Sequence, residues 1–152
     1  TLPPEAFARR VVEEIRKHGM ARRTMVQSFD WRTLQVIQKE APEIRTMYLT
    51  SPRTLKGSEG LTVAPSPWLA GFTPERHGSV PKAVKAAGGT IWAPNQTFLT
   101  PALLAEARAL GLQVIPWTVN DPAMMVKLLD MGVDGIISDR PDRVKAELAK
   151  RK

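Results

Sequence analysis

Apolar positions along the chain switch between two periods. Thr24 to Phe29, Arg45 to Thr50, Thr90 to Ala93, Gln113 to Val119 and Gly135 to Ser138 are short, mostly apolar runs. Runs of that length, bounded by turn residues, read as buried strands. The stretches between them repeat at helical spacing. Residues 4–18 place Phe7, Val11 and Ile15 on one face, with Arg9, Glu13, Arg16 and Lys17 off it and Gly19 as the stop. Asp30 suits a helix cap, with Trp31, Leu34, Ile37 and Ala41 inward and Pro42 as terminator. Ser79 and Pro81 open a helix that runs through Ala87 and is closed by Gly88 and Gly89. Thr100 caps the next, with Pro101 first, Leu103, Leu104, Ala107 and Leu110 inward, and Gly111 closing it. Asn120 or Asp121 caps a helix from about Pro122 to Met131, whose stripe is Met124, Met125, Leu128 and Leu129. A last helix contains Val144 and Leu148.

Strand, helix, strand at this spacing is a βαβ unit, and such units build parallel sheets. The pattern therefore predicts an α/β fold of about five parallel strands with intervening helices. No linker or internal repeat divides residues 1–152, which read as one structural unit. The periodicity fails in one place. Residues 51–78 hold Pro52, Pro65, Pro67 and Pro74 together with Gly57, Gly60, Gly71 and Gly78. A loop this long follows the carboxyl end of a strand, where parallel α/β folds bind their ligands. It is expected on that functional face, either with a role there or as a surface elaboration.

Composition narrows the function classes. Apolar residues make up 43% and charged residues 24% of the 152 positions, as in ordinary globular domains. No apolar run reaches the ~20 residues of a membrane span. Cysteine is absent, which excludes disulfides and thiolate metal sites within the chain and leaves the compartment open. The net charge of +7 favours phosphate-bearing partners in general. The stronger reading is solvated helix faces, because much of the excess lies near the ends, for example Arg9, Arg10, Arg22 and Arg23, then Lys150, Arg151 and Lys152. These cations are not interleaved with aromatic residues, so a nucleic-acid platform is not expected. Neither a phosphate-binding glycine loop nor a nucleophile elbow is present.

Two motifs carry a family resemblance. Trp117-Thr118-Val119-Asn120, followed by Gly132-Val133-Asp134-Gly135-Ile136-Ile137-Ser138-Asp139-Arg140-Pro141, resembles the end of a glycerophosphodiester phosphodiesterase. Gln27-Ser28-Phe29-Asp30 resembles a middle strand of the same family. The likeness runs in order from about residue 5 to residue 142. It implies a (β/α)8 TIM barrel, of which this chain is the C-terminal part. A complete barrel of eight strands usually takes ~250 residues. The first and last strands would then keep bare edges, which invite association. The expected cover is the N-terminal half of the same barrel or a swapped copy.

The resemblance also implies chemistry. Family members hydrolyse a glycerophosphodiester to glycerol 3-phosphate and an alcohol. A histidine–arginine pair on the first strand and a second histidine transfer protons, and carboxylates on early strands hold a divalent cation, calcium or magnesium. That set is missing from this sequence, so neither catalytic residues nor a metal ligand set is expected here. His18 ends a helix, and His77 lies in the long loop with no strand before it. What remains is contact with a small-molecule phosphodiester substrate. Trp117 sits near a strand end and would line the pocket if Ile115, Trp117 and Val119 share the barrel-facing side. Phe29, Ser28 and Asn120 occupy comparable places, although Phe29 also suits a core and Asn120 a helix cap. Asn95 reads as a turn residue. Asp139 could orient a neighbour or cap the following helix, and the cap is the expected role. Two alternatives stay open: another barrel phosphodiesterase, phospholipase-D-like or cleaving phosphatidylinositol, and a half-barrel that serves as a non-catalytic scaffold.

Overall fold

A computed structural model describes residues 2–56 and 66–151. Four parallel strands form one sheet in sequence order. They are β1 (Met25–Ser28), β2 (Arg45–Thr50), β3 (Ile91–Pro94) and β4 (Gln113–Val114). Met25 pairs with Arg45, Tyr48 with Trp92, and Trp92 with Val114. The helices are α1 (Pro4–Lys17), α2 (Trp31–Glu40), α3 (Pro52–Lys56), α4 (Pro74–His77), α5 (Val80–Ala86), α6 (Pro101–Ala109), α7 (Pro122–Met131) and α8 (Pro141–Ala149).

Local sequence sets most helix boundaries. The Asp30, Ser79, Thr100 and Asp121 side chains accept from backbone N–H groups in the first turns of α2, α5, α6 and α7. Each satisfies one of the donors that a helix start leaves without an internal partner. Of the two candidates for α7, Asp121 is the cap. The end of α5 depends on glycine twice. Gly88 has φ +80°, and a Cβ on Gly89 would stand 2.6 Å from Val84 Cγ1 and 2.8 Å from the Val84 carbonyl oxygen.

Four expectations need correction. First, α1 buries Ala8 and Val12, with Ile15 beside them, while Phe7 is half exposed. The helix docks through the small Ala8, with Val12, onto Ile37, Ala41 and Ile44. Close approach of two helices favours a small residue over the bulkier Phe7 that the spacing picks out. Second, the segment 51–78 contains helical pieces in its described parts: α3, a 3-10 turn at Pro67–Leu69, and α4. His77 therefore lies on α4, its Nδ1 3.0 Å from the Thr73 carbonyl oxygen. Residues 57–65 of that segment lie outside the described residues. Third, β4 stops at Val114. Pro116 has no N–H to continue a ladder. Ile115 and Trp117 still donate to the Trp92 and Pro94 carbonyls, at 2.9 and 3.1 Å. Fourth, Gly135–Ser138 is an extended segment rather than a fifth strand. It lies against β4 and its continuation through Asp134 N–H to Val114 O, Ile137 N–H to Pro116 O and Val119 N–H to Ile137 O, at 2.9, 3.0 and 2.9 Å.

The sheet has two unlike faces. One packs under the helices, where Trp31, Leu34, Tyr48, Val84, Trp92, Val114 and Met125 are almost wholly buried. Val119 belongs to that core, so it does not share a side with Trp117. The other face carries Met47, Leu49, Ile91 and Ala93, with Met25, Phe29, Ile115, Trp117 and Ile137 around them. Among the described residues no helix contributes to this second cluster. Ile91 is buried, and Val26 and Ile136 pack on the helix side. Met25, Ile115 and Ile137 stay partly exposed on the other face.

Candidate functional site

The residues singled out from the sequence lie at the carboxyl ends of the strands, in three places. Phe29 and Trp117 meet on the sheet face to which no helix among the described residues contributes. Their rings stand edge to face with centroids 5.3 Å apart and an interplanar angle of 79°. This is a favoured aromatic geometry, because the positive edge of one ring meets the negative face of the other. The Trp117 indole Nε1–H donates to the Ala93 carbonyl at 2.8 Å, which fixes the ring plane. Both residues are partly exposed, so one apolar surface of the pair stays open to contact.

Ser28 points to the opposite side of the sheet. Its Oγ accepts from the Asp30 N–H at 3.0 Å, and it borders a cavity of about 320 Å³ shared with Phe7, Asp30, Arg32 and Trp68. Ser28 and Phe29 are thus separated by strand alternation, although they adjoin in sequence.

Asn120 ties two chain segments together. Its Nδ2 donates to Asp139 Oδ2 at 2.8 Å, and its Oδ1 accepts from Ser138 Oγ at 3.1 Å and from Asp139 N–H at 2.9 Å. Asp139 therefore orients a neighbour instead of capping α8, which starts after Arg140 without any side-chain cap. Asn95 makes the expected turn, its Oδ1 accepting from the Thr97 N–H and hydroxyl at 3.0 and 2.7 Å.

Cations at this rim are matched with local acceptors. Arg32 pairs with Asp30 at 2.7 Å and Arg140 with Asp142 at 2.7 Å, while Arg143 donates to the Asn120 carbonyl at 3.2 Å. The hydrogen bond from Arg140 holds the Asp142 carboxyl down at about 2. One residue was not legible as part of this rim. Gln96 donates its backbone N–H to the Trp117 carbonyl and its side-chain amide to the Thr118 carbonyl. A polar residue in a turn gives no signal of that reach, because the partners lie over twenty positions away.

Residues 5–143 match the glycerophosphoryl diester phosphodiesterase family. The chain belongs to that family. A Mycobacterium tuberculosis protein bearing the family's name is 49% identical over 53 residues, which is 35% of this chain and 20% of that protein. A solved family structure from Silicibacter pomeroyi superposes with a TM-score of 0.77 at 33% identity, over 97% of this chain and 45% of that one. A phosphodiesterase from Oleispira antarctica, solved in complex with the product sn-glycerol-3-phosphate, superposes with a TM-score of 0.59 at 22% identity, over 82% of this chain and 41% of that one. The chain spans about half the length of the relatives that it matches over most of its own length.

The divalent cation implied by the family does not fit the side chains among the described residues. Among the described residues no three histidines, aspartates or glutamates lie close enough together to hold a metal ion. No helix among them is long and apolar enough to cross a membrane.

Proposed function

We propose that this chain is the C-terminal half of a TIM-barrel glycerophosphodiester phosphodiesterase, supplying part of the substrate pocket. The complete enzyme hydrolyses a glycerophosphodiester to glycerol 3-phosphate and an alcohol. The observation that carries the proposal is the Phe29–Trp117 pair, set at strand ends on the face to which no described helix contributes. In a barrel that face is the interior, and its carboxyl-end rim is where the pocket is built. The exposed aromatic surface suits the glycerol carbons or the alcohol group, as apolar walls do in small-molecule sites. The product held by the Oleispira antarctica structure has the same glycerol phosphate chemistry.

The proton-transferring histidines, the calcium or magnesium ion and its carboxylates belong to the N-terminal half of the barrel. That half would also cover Met25, Ile115 and Ile137. The chain by itself is then inactive, and the described parts of segment 51–78, which follow the carboxyl end of β2, belong to the active-site side. Ser28 and Asn120, first placed with the substrate contacts, act by shaping the strand ends.

An assay of the complete protein for glycerol 3-phosphate release with calcium or magnesium tests this function. Turnover of glycerophosphodiesters is expected. Turnover confined to phosphatidylinositol or phospholipase-D-type substrates would place the chain with another barrel phosphodiesterase. A complete barrel inert towards all of them would leave a scaffold role.

A further inference from the structure

We infer that Gln96 is a positioning residue for Trp117, a clamp that presets the aromatic wall of the pocket. The inference rests on Trp117 as a pocket residue and adds what holds it in place. Regular pairing of β4 ends at Val114, just before Pro116. Beyond that point pairing on the β3 side continues only through the Ile115 and Trp117 N–H groups and an isolated parallel bridge between Asn95 and Trp117, and the Thr118 carbonyl needs a partner of its own, since half-buried carbonyls without hydrogen bonds are costly. Trp117 and Thr118 are both half-buried. Gln96 answers both of their carbonyls. Its N–H donates to Trp117 O at 2.8 Å, and its Nε2 donates to Thr118 O at 2.7 Å.

The clamp is itself set by the turn that follows β3. Asn95 N–H donates to the Thr50 carbonyl at 2.8 Å, and the Asn95 carboxamide accepts from Thr97. Gln96 therefore projects over the end of the neighbouring strand from a braced position. The Trp117 ring is held at a second point by Ala93 O at 2.8 Å and at a third by its edge-to-face contact with Phe29. Trp117 N–H to the Pro94 carbonyl at 3.1 Å fixes the backbone before Cα, Gln96 fixes it after Cα, and the bond to Ala93 O sets the plane of the indole. A wall already ordered before ligand arrives loses less conformational freedom on binding. Loss of the Gln96 amide should thus weaken substrate binding and leave the chemical step alone.

The test compares Gln96→Met, which keeps the length of the side chain without a donor, with Gln96→Lys, which restores one. In the complete enzyme, Gln96→Met should raise KM three- to tenfold with kcat within twofold, the range expected for one neutral hydrogen bond. Gln96→Lys should return KM to within twofold of the starting protein. In a Trp117→Ala background, Gln96→Met should add less than twofold to KM, since the two side chains act as one unit. With 5-fluorotryptophan incorporated, Gln96→Met should shift or broaden the Trp117 resonance, identified by its loss in Trp117→Ala. An unchanged resonance overturns the clamp. So does a KM effect that persists in full without Trp117, or a Gln96→Met variant that lowers kcat and melting temperature with KM unchanged. If the complete protein hydrolyses no glycerophosphodiester, the functional proposal fails, and the resonance still decides whether Gln96 holds Trp117.

Discussion

The two faces of the sheet are built on different terms. On the helix side Trp31, Tyr48 and Trp92 are fully buried, and each has a hydrogen-bond partner inside the protein. Trp92 Nε1–H meets Thr50 Oγ1 at 2.8 Å, and the Tyr48 hydroxyl donates to the Ala87 carbonyl at 2.8 Å while accepting from Gln35 at 2.8 Å. On the other face Met47, Leu49, Ile91 and Ala93 are buried, yet the aromatic residues at the rim, Phe29 and Trp117, stay partly open. Aromatic residues that are sealed and satisfied serve stability. Aromatic residues that are oriented but uncovered have surface left for a partner or ligand. Tryptophan is used on both faces, so residue type alone does not tell one role from the other.

Substitution on each side can break that contrast. The largest effect is expected from Trp92→Ala. Truncating a fully buried aromatic residue typically costs ~3–5 kcal/mol, and here Thr50 Oγ1 also loses its donor. Urea unfolding should show a shift of that size or no folded protein. A loss below about 1 kcal/mol would mean that the helix-side core is far more adaptable than its packing implies.

Next comes the alkaline limb of stability. Burial pushes the Tyr48 hydroxyl up from 10 to about 12, partly offset by hydrogen bonds with Gln35 and Gln38. The folded state thus holds its proton more tightly than the unfolded chain does. The stabilisation is complete below pH 10, falls as pH rises, and is gone once pH passes 12. Its full size is about 2–3 kcal/mol. Unfolding free energies measured at pH 9, 10.5 and 11.5 should decline, and Tyr48→Phe should flatten that decline. An equal decline in both proteins would remove Tyr48 as its source.

The smallest stability effect, and the clearest functional one, belongs to Trp117→Ala. In the complete enzyme KM should rise by the equivalent of about 1–3 kcal/mol with kcat little changed, because an apolar wall holds ground and transition states alike. Melting should move far less than in Trp92→Ala. A variant with unaltered KM that melts early would transfer Trp117 to the core and erase the difference between the faces.

How much of this was legible in sequence follows from the range of each interaction. Caps at Asp30, Ser79 and Thr100 act over two or three residues, so a local pattern reveals them. The parallel α/β order was equally readable, because βαβ spacing is a local property repeated along the chain. The buried side of α1 was not. Ala8 rather than Phe7 faces α2, and that choice depends on how closely a distant helix approaches. Pro116 was visible, but its consequence, a break in β4 with the ladder carried on by Ile115 and Trp117, depends on β3. In the site, the motif marked Trp117 and Asn120. It did not tell that Asn120 is bound to Ser138 and Asp139, or that Gln96 answers the Trp117 and Thr118 carbonyls. Those contacts join segments that no local pattern links.

The central claim is that this chain provides pocket surface while its catalytic groups come from the other half of the barrel. The most direct measurement is a titration of the 152-residue chain with the amino-terminal half of the complete protein, following glycerol 3-phosphate release in calcium or magnesium. The expected result is no release from the chain alone and turnover that saturates at one-to-one mixing. Turnover by the chain alone at the rate of a complete family member would contradict it.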